Sequence, residues 1–182
     1  NNHKTLTLNG WSGQRINGDG DYNLHLKGTN IIQMAIAKSG DTYGLGANMN
    51  GGSMGTITVT ADADAGGTLN ILGNLTGANG TAIYGIRAYT NLISGKLNID
   101  ITSDGYGWMY GTWGSINFVD QTDGVDLDVR MESTYTGSSL FSIYGLYNSG
   151  LFYQPSYGAE TAPQNVTVNV TAKGPQKAAV YA

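Results

Sequence analysis

The chain has 182 residues, enough for one sizeable core or for a stack of small repeated units, and only 12% of them are charged. Its 28 glycines are about twice the usual share, and the lack of cysteine excludes a disulfide scaffold, a thiolate metal site and a cysteine nucleophile. A net charge of −4 argues against nucleic acid or an anionic membrane as partner, and no apolar run nears the roughly 18 residues of a membrane span.

In chain order, the opening NNHKTLTLNGW lacks an initiator Met and shows no basic-then-apolar export segment, so it reads as a mature product or an excised piece. Leu6 and Leu8 suggest a first strand inside an irregular turn over residues 1–20. NGDGDYNLHL resembles a calcium-binding glycine-aspartate unit, which makes Asp19 and Asp21 weak metal candidates; Tyr22 in an Asp position and the lack of repetition favour a plain acidic turn. YNLHLKG alternates through Leu24 and Leu26, and NIIQMAIAKSG through Ile32, Met34 and Ile36.

The same period of two continues downstream. GTITVTA sets Ile57, Val59 and Ala61 against Thr56, Thr58 and Thr60, and GGTLNILGN suggests a further strand. GKLNIDI sets Leu97, Ile99 and Ile101 against Lys96, Asn98 and Asp100. VDLDVRM sets Leu127, Val129 and Met131 against Asp126, Asp128 and Arg130, and QNVTVNVT repeats the pattern with Val166, Val168 and Val170. These are half-buried strands with one wet face, and helix is almost absent by pattern.

A second signal runs between them. Tyr43-Gly44, Tyr84-Gly85, Tyr110-Gly111 and Tyr144-Gly145 each sit in a short apolar stretch, and the chain stops just after Tyr181. The tyrosines are 41, 26, 34 and 37 positions apart, a spacing that suits a repeat architecture. An alternating strand followed by a Tyr-Gly strand, with insertions at the turns, predicts an all-β solenoid of about five to six irregular turns, forming one unit over residues 1–182. Parallel in-register ladders would then place Lys96 beside Asp126 and Asp100 beside Arg130, opposite charges at both positions. Alternation places each tyrosine on one face with the apolar residue two positions on. It therefore predicts a tyrosine ladder in the core, with the glycines marking a bend or a close backbone approach.

The motifs TYGLGA, IYGIRA, MYGTWG and IYGLYN, with TITVTA, LNIDIT and VTVNVT between them, resemble bacterial autotransporter passenger domains from about residue 21 onward. The resemblance implies a right-handed parallel β-helix exported through the outer membrane and displayed at the cell surface or shed. It also implies a non-enzymatic structural or adhesive role.

For chemistry, His3 and His25 are the two imidazoles, with no nucleophile elbow or metal-type His pair beside them. Asp126, Asp128 and Arg130 share one strand face with Asp100 nearby. This is the set that a second reading, a polysaccharide-degrading lyase or glycosidase, would use; an ordinary charged ladder is the plainer account. An outward Thr array suggests ice binding, but aligning Thr56, Thr58 and Thr60 with the charged faces of the other strands breaks the flat, uncharged surface this needs. No cofactor is implied. Tyr106, Trp108, Tyr110, Trp113 and Phe118 crowd one turn, and Phe141, Tyr144, Tyr147, Phe152, Tyr153 and Tyr157 the next. The outward variables Arg87, Trp113 and Tyr147 are the ligand-contact candidates, toward a host glycan or surface protein. A solenoid without caps leaves strand edges unpaired, so further turns or copies stacked end to end are the expected partners.

Overall fold

The computed structural model describes residues 4–38, 40–48, 53–62, 66–119, 122–147, 151–153, 164–176 and 178–182. Among them eighteen strands follow one another, three to a turn. The first turn is β1 (Lys4–Asn9), β2 (Ser12–Gly13) and β3 (Ile16–Asp19); the second is β4 (Tyr22–Lys27), β5 (Thr29–Gln33) and β6 (Thr42–Asn48). The third is β7 (Thr56–Ala61), β8 (Thr68–Leu75) and β9 (Ile83–Arg87), and the fourth β10 (Tyr89–Leu92), β11 (Gly95–Ser103) and β12 (Met109–Trp113). The fifth is β13 (Ile116–Phe118), β14 (Asp123–Ser133) and β15 (Phe141–Tyr147); the sixth is β16 (Leu151–Tyr153), β17 (Gln164–Lys173) and β18 (Ala178–Tyr181).

Every third strand joins the same six-stranded sheet, and all ladders between these strands are parallel. Sheet A starts with β1, sheet B with β2 and sheet C with β3. The result is a right-handed parallel β-helix, the hand that parallel crossovers prefer. No helix among the described residues is long and apolar enough to cross a membrane.

The three inner faces meet in one core. Sheet A supplies Leu24, Leu26, Ile57 and Val59, sheet B Leu69, Ile71, Leu97 and Ile99, and sheet C Leu45, Ile83, Ile86 and Met109. Each such side chain contributes roughly 1.5–3 kcal/mol by leaving water. At the corner between β4 and β5, where the chain passes from sheet A to sheet B, Gly28 takes a φ of 58°. Buried Asn30 then locks that corner: its Nδ2 donates to the carbonyls of Lys27 (3.2 Å), Gly28 (3.3 Å) and Thr68 (3.2 Å), and its Oδ1 accepts from Trp11 N–H (2.9 Å).

Four expectations change. GTITVTA does not stack on GKLNIDI: it is β7 in sheet A, and the strand of that turn in register with β11 is β8, which begins Thr68-Leu69-Asn70. Thr56, Thr58 and Thr60 accordingly neighbour Tyr89, Asn91, Asn23 and His25, not the charged residues of sheet B. Residues 4–19 are not irregular, because β1 pairs with β4 along all six residues. The strand from Thr29 ends at Gln33, so Met34 is buried beyond it and Ile36 is left exposed.

The fourth change concerns the Tyr-Gly strands. The ladder pairs Tyr84 with Tyr110 and Ile86 with Thr112 but passes over Gly85 and Gly111 between them. A Cβ on Gly85 would point inward, 2.6 Å from Ile99 Cγ2 and 2.5 Å from the Gly111 carbonyl oxygen. Ile83 and Ile86 both belong to the core cluster, so the backbone kinks at the glycine and alternation changes phase. The tyrosine and the apolar residue two positions on therefore face opposite ways. The tyrosine ladder exists, but on the outer face.

Candidate functional site

Sheet C carries that outer face. Parallel register brings Tyr43, Tyr84, Tyr110, Tyr144 and Tyr181 into one column. Tyr84 stacks on Tyr110 at 5.0 Å and 10°, Tyr110 on Tyr144 at 5.2 Å and 3°, and Tyr144 on Tyr181 at 4.7 Å and 7°. The strand spacing of about 4.8 Å sets these distances, and it falls in the range that aromatic pairs favour.

Beside the column runs a row made of Gly46, Arg87, Trp113 and Tyr147. Trp113 stands edge-on to Tyr110 at 4.8 Å and meets Tyr147 at 4.7 Å. Two cations already rest on the column. The Arg15 guanidinium lies 4.9 Å from the Tyr43 ring centre and that of Arg87 5.8 Å from Tyr84, while Arg87 Nη1 donates to Asn48 Oδ1 at 3.2 Å. Burial pushes the Tyr84 and Tyr110 hydroxyls above the ordinary phenol range; nearby Asp41 adds to both, and Arg87 pulls Tyr84 the other way.

A third row lies on the other side of the column. One residue ahead of the paired Thr42, Ile83 and Met109 stand Asp41, Ala82 and Trp108, tied by Thr42 N–H to the Ala82 carbonyl and Ile83 N–H to the Trp108 carbonyl. Small Ala82 between two larger neighbours leaves an open groove of about 410 Å³, walled by Asp41, Tyr84, Tyr106, Trp108, Trp113 and Leu140. Trp108 is 58% exposed and Leu140 82%. Sequence reasoning picked out Tyr106, Trp108 and Trp113 as a crowd of aromatics. It missed Asp41 and Leu140, which no local motif links to them; alignment on the Tyr-Gly pairs would have put Asp41 and Trp108 in one row.

The charged candidates lie on sheet B. Lys96 Nζ pairs with Asp126 Oδ2 at 2.6 Å, and Arg130 Nη1 with Asp100 Oδ1 at 2.8 Å; Arg130 also pairs with Glu132. Asp128 is exposed between Asn98 and Asn169. The four lie on an open sheet face, with Asp100 and Asp126 each held by a cation. Asp19 lies at the end of β3, opposite Asn48, and Asp21 Oδ1 accepts the Thr56 N–H at 2.7 Å, stitching two turns together. Among the described residues no group of three or more His, Asp or Glu is arranged to hold a metal ion. His3 lies outside the described residues, as do Tyr157 and the side chains of Phe152 and Tyr153.

His25 has partners that sequence alone does not show. Its Nδ1 lies 2.9 Å from Thr60 Oγ1 and its Nε2 2.8 Å from Asp62 Oδ1, with Lys27 Nζ 3.3 Å from the other carboxylate oxygen. The hydrogen bond from His25, helped by Lys27, holds the Asp62 carboxyl below its usual range.

No family model, curated protein or solved structure matches the chain. The fold and the geometry of sheet C therefore carry the functional argument.

Proposed function

We propose that this chain is a non-enzymatic structural and adhesive module, displayed on a bacterial surface or released from it. The observation that carries this reading is the outer face of sheet C. Tyr84, Tyr110, Tyr144 and Tyr181 form a rigid stacked column, with Trp113 and Tyr147 packed along it. Tyr84 and Tyr110 are buried within the column and hold Trp113, Tyr144, Tyr147 and Tyr181 at fixed spacing, so the accessible rings can capture glycan rings or a protein surface at little conformational cost. The likeness of the Tyr-Gly repeats to autotransporter passengers supports display outside the cell, as part of a longer solenoid or of a fibre built from stacked copies.

A glycan and host-protein binding screen tests the proposal. Binding that is lost in Trp113→Ala and Tyr147→Ala, with the circular dichroism spectrum unchanged, supports it. Depolymerisation of an acidic glycan, abolished by Asp128→Ala, would replace it with a polysaccharide-degrading enzyme.

A further inference from the structure

The groove on sheet C has a chemical character of its own. Its floor is Ala82, its two ends along the row are the Asp41 carboxylate and the Trp108 indole, and Tyr84 and Trp113 stand along one side. Asp41 and Trp108 belong to strands two ladder steps apart, roughly 9–10 Å. The lining contains one carboxylate and no Lys, Arg or His. Among the described residues Asp41 makes no ion pair.

An unpaired carboxylate facing aromatic rings attracts one kind of group above others. A cation gains from the carboxylate and from the negative ring faces together, and an organic cation loses little hydration in doing so. The same column shows this preference within the chain, where Arg15 rests on Tyr43 and Arg87 on Tyr84. Asp41 also pushes the Tyr84 and Tyr110 hydroxyls upward, so its field reaches the groove side and disfavours a second negative charge. Acidic sugars and phosphates are therefore poor occupants.

We propose that the groove over Ala82 binds an organic ammonium group, of the choline or trimethylated-amine class, between the Asp41 carboxylate and the exposed Trp108 ring, with Tyr84 walling one side. This does not rest on the adhesive reading, since glycan capture through Trp113 and Tyr147 would survive its failure.

Tryptophan fluorescence of the full chain, titrated with choline, tests the proposal against the neutral isostere in which a tert-butyl group replaces trimethylammonium. Choline is expected to saturate, and the isostere to bind about tenfold more weakly or worse. Asp41→Asn should weaken choline binding by a similar factor, and Ala82→Leu should block it by filling the floor without removing a ligand contact. Tyr89→Ala, an exposed tyrosine on sheet A, should leave it unchanged. Equal binding of choline and the isostere would overturn the proposal, as would the absence of saturable choline binding. A neutral oligosaccharide that saturates the same signal and is indifferent to Asp41→Asn would overturn it too, marking a saccharide site instead.

Discussion

Gly85 and Ile99 face each other across the interior, so close that a methyl group on the glycine would come within 2.6 Å of Ile99 Cγ2. Gly44 meets Ile71 in the same way, Gly111 meets Val129 and Gly145 meets Val170. The repeated glycine is thus a row of missing side chains that lets sheet B approach sheet C.

Gly111→Ala should therefore destabilise the fold by about 1–3 kcal/mol, the usual penalty for overpacking. Its Cβ would overlap both Val129 Cγ1 and the Gly145 carbonyl oxygen. Adding Val129→Ala should recover only part of the loss, because the backbone oxygen remains. Thermal unfolding followed by circular dichroism gives the comparison; equal stability of Gly111→Ala and wild type would remove the glycine row as a packing device.

Asn30→Leu removes the side chain that donates to three carbonyls and accepts the Trp11 amide. The Gly28 carbonyl keeps the Thr68 N–H, but the Trp11 N–H loses its acceptor beside the core, which should lower stability by about 2 kcal/mol. Hydrogen exchange should show the Trp11 and Ile31 amides losing protection first. Loss spread evenly over the six turns would contradict a local corner lock.

Tyr22, Tyr84 and Tyr110 all have hydroxyls pushed above the ordinary phenol range, in each case chiefly by burial. For a group with a raised folded-state value, the stability is fully present below the unfolded value, about 10, and lost as pH rises toward the folded one. Unfolding should therefore become easier above about pH 10. The phenolate absorbance of these buried hydroxyls should rise together with unfolding, as followed by circular dichroism. Tyr22→Phe should reduce the alkaline loss; an equal alkaline loss in Tyr22→Phe and wild type would refute this.

Asp62 titrates in the opposite direction. Its folded-state value is lowered, first by the hydrogen bond from His25, so its stabilisation is present above the normal carboxylate value, about 4, and lost as pH falls through the lower one. The melting-temperature gap between wild type and Asp62→Asn should hold from pH 5 to about 4 and close below it. A gap that stays constant down to pH 2 would rule out this contact as the origin.

How far the sequence could be read depended on what each residue's partner was. In β11 and β14 one face is dry, so period-two alternation identifies Leu97, Ile99, Leu127 and Val129 as core, and like alternation in two neighbours predicts the Lys96–Asp126 and Asp100–Arg130 contacts. Alternation looks the same on every sheet, however, and so it could not tell that β7 belongs with β4 while β8 belongs with β11. The phase change at Gly85 was hidden for a related reason, since a kink leaves no mark on a pattern that assumes straight strands. The groove was least legible because Asp41 and Trp108 meet only after two full turns of the chain.

The strands of sheet B lengthen along the axis. Ser12–Gly13 spans two residues and Thr29–Gln33 five; Thr68–Leu75 then has eight, Gly95–Ser103 nine, Asp123–Ser133 eleven and Gln164–Lys173 ten. Sheet A shortens the other way, from six residues in β1 to three in β16, so the paired length, and with it the resistance to opening, rises over the first three turns and then levels off. Pulled along its axis, such a molecule would peel from the narrow turns while the wide ones, which carry the aromatic column, stayed closed. The taper of sheet B makes the narrow end a mechanical fuse for the aromatic face of sheet C.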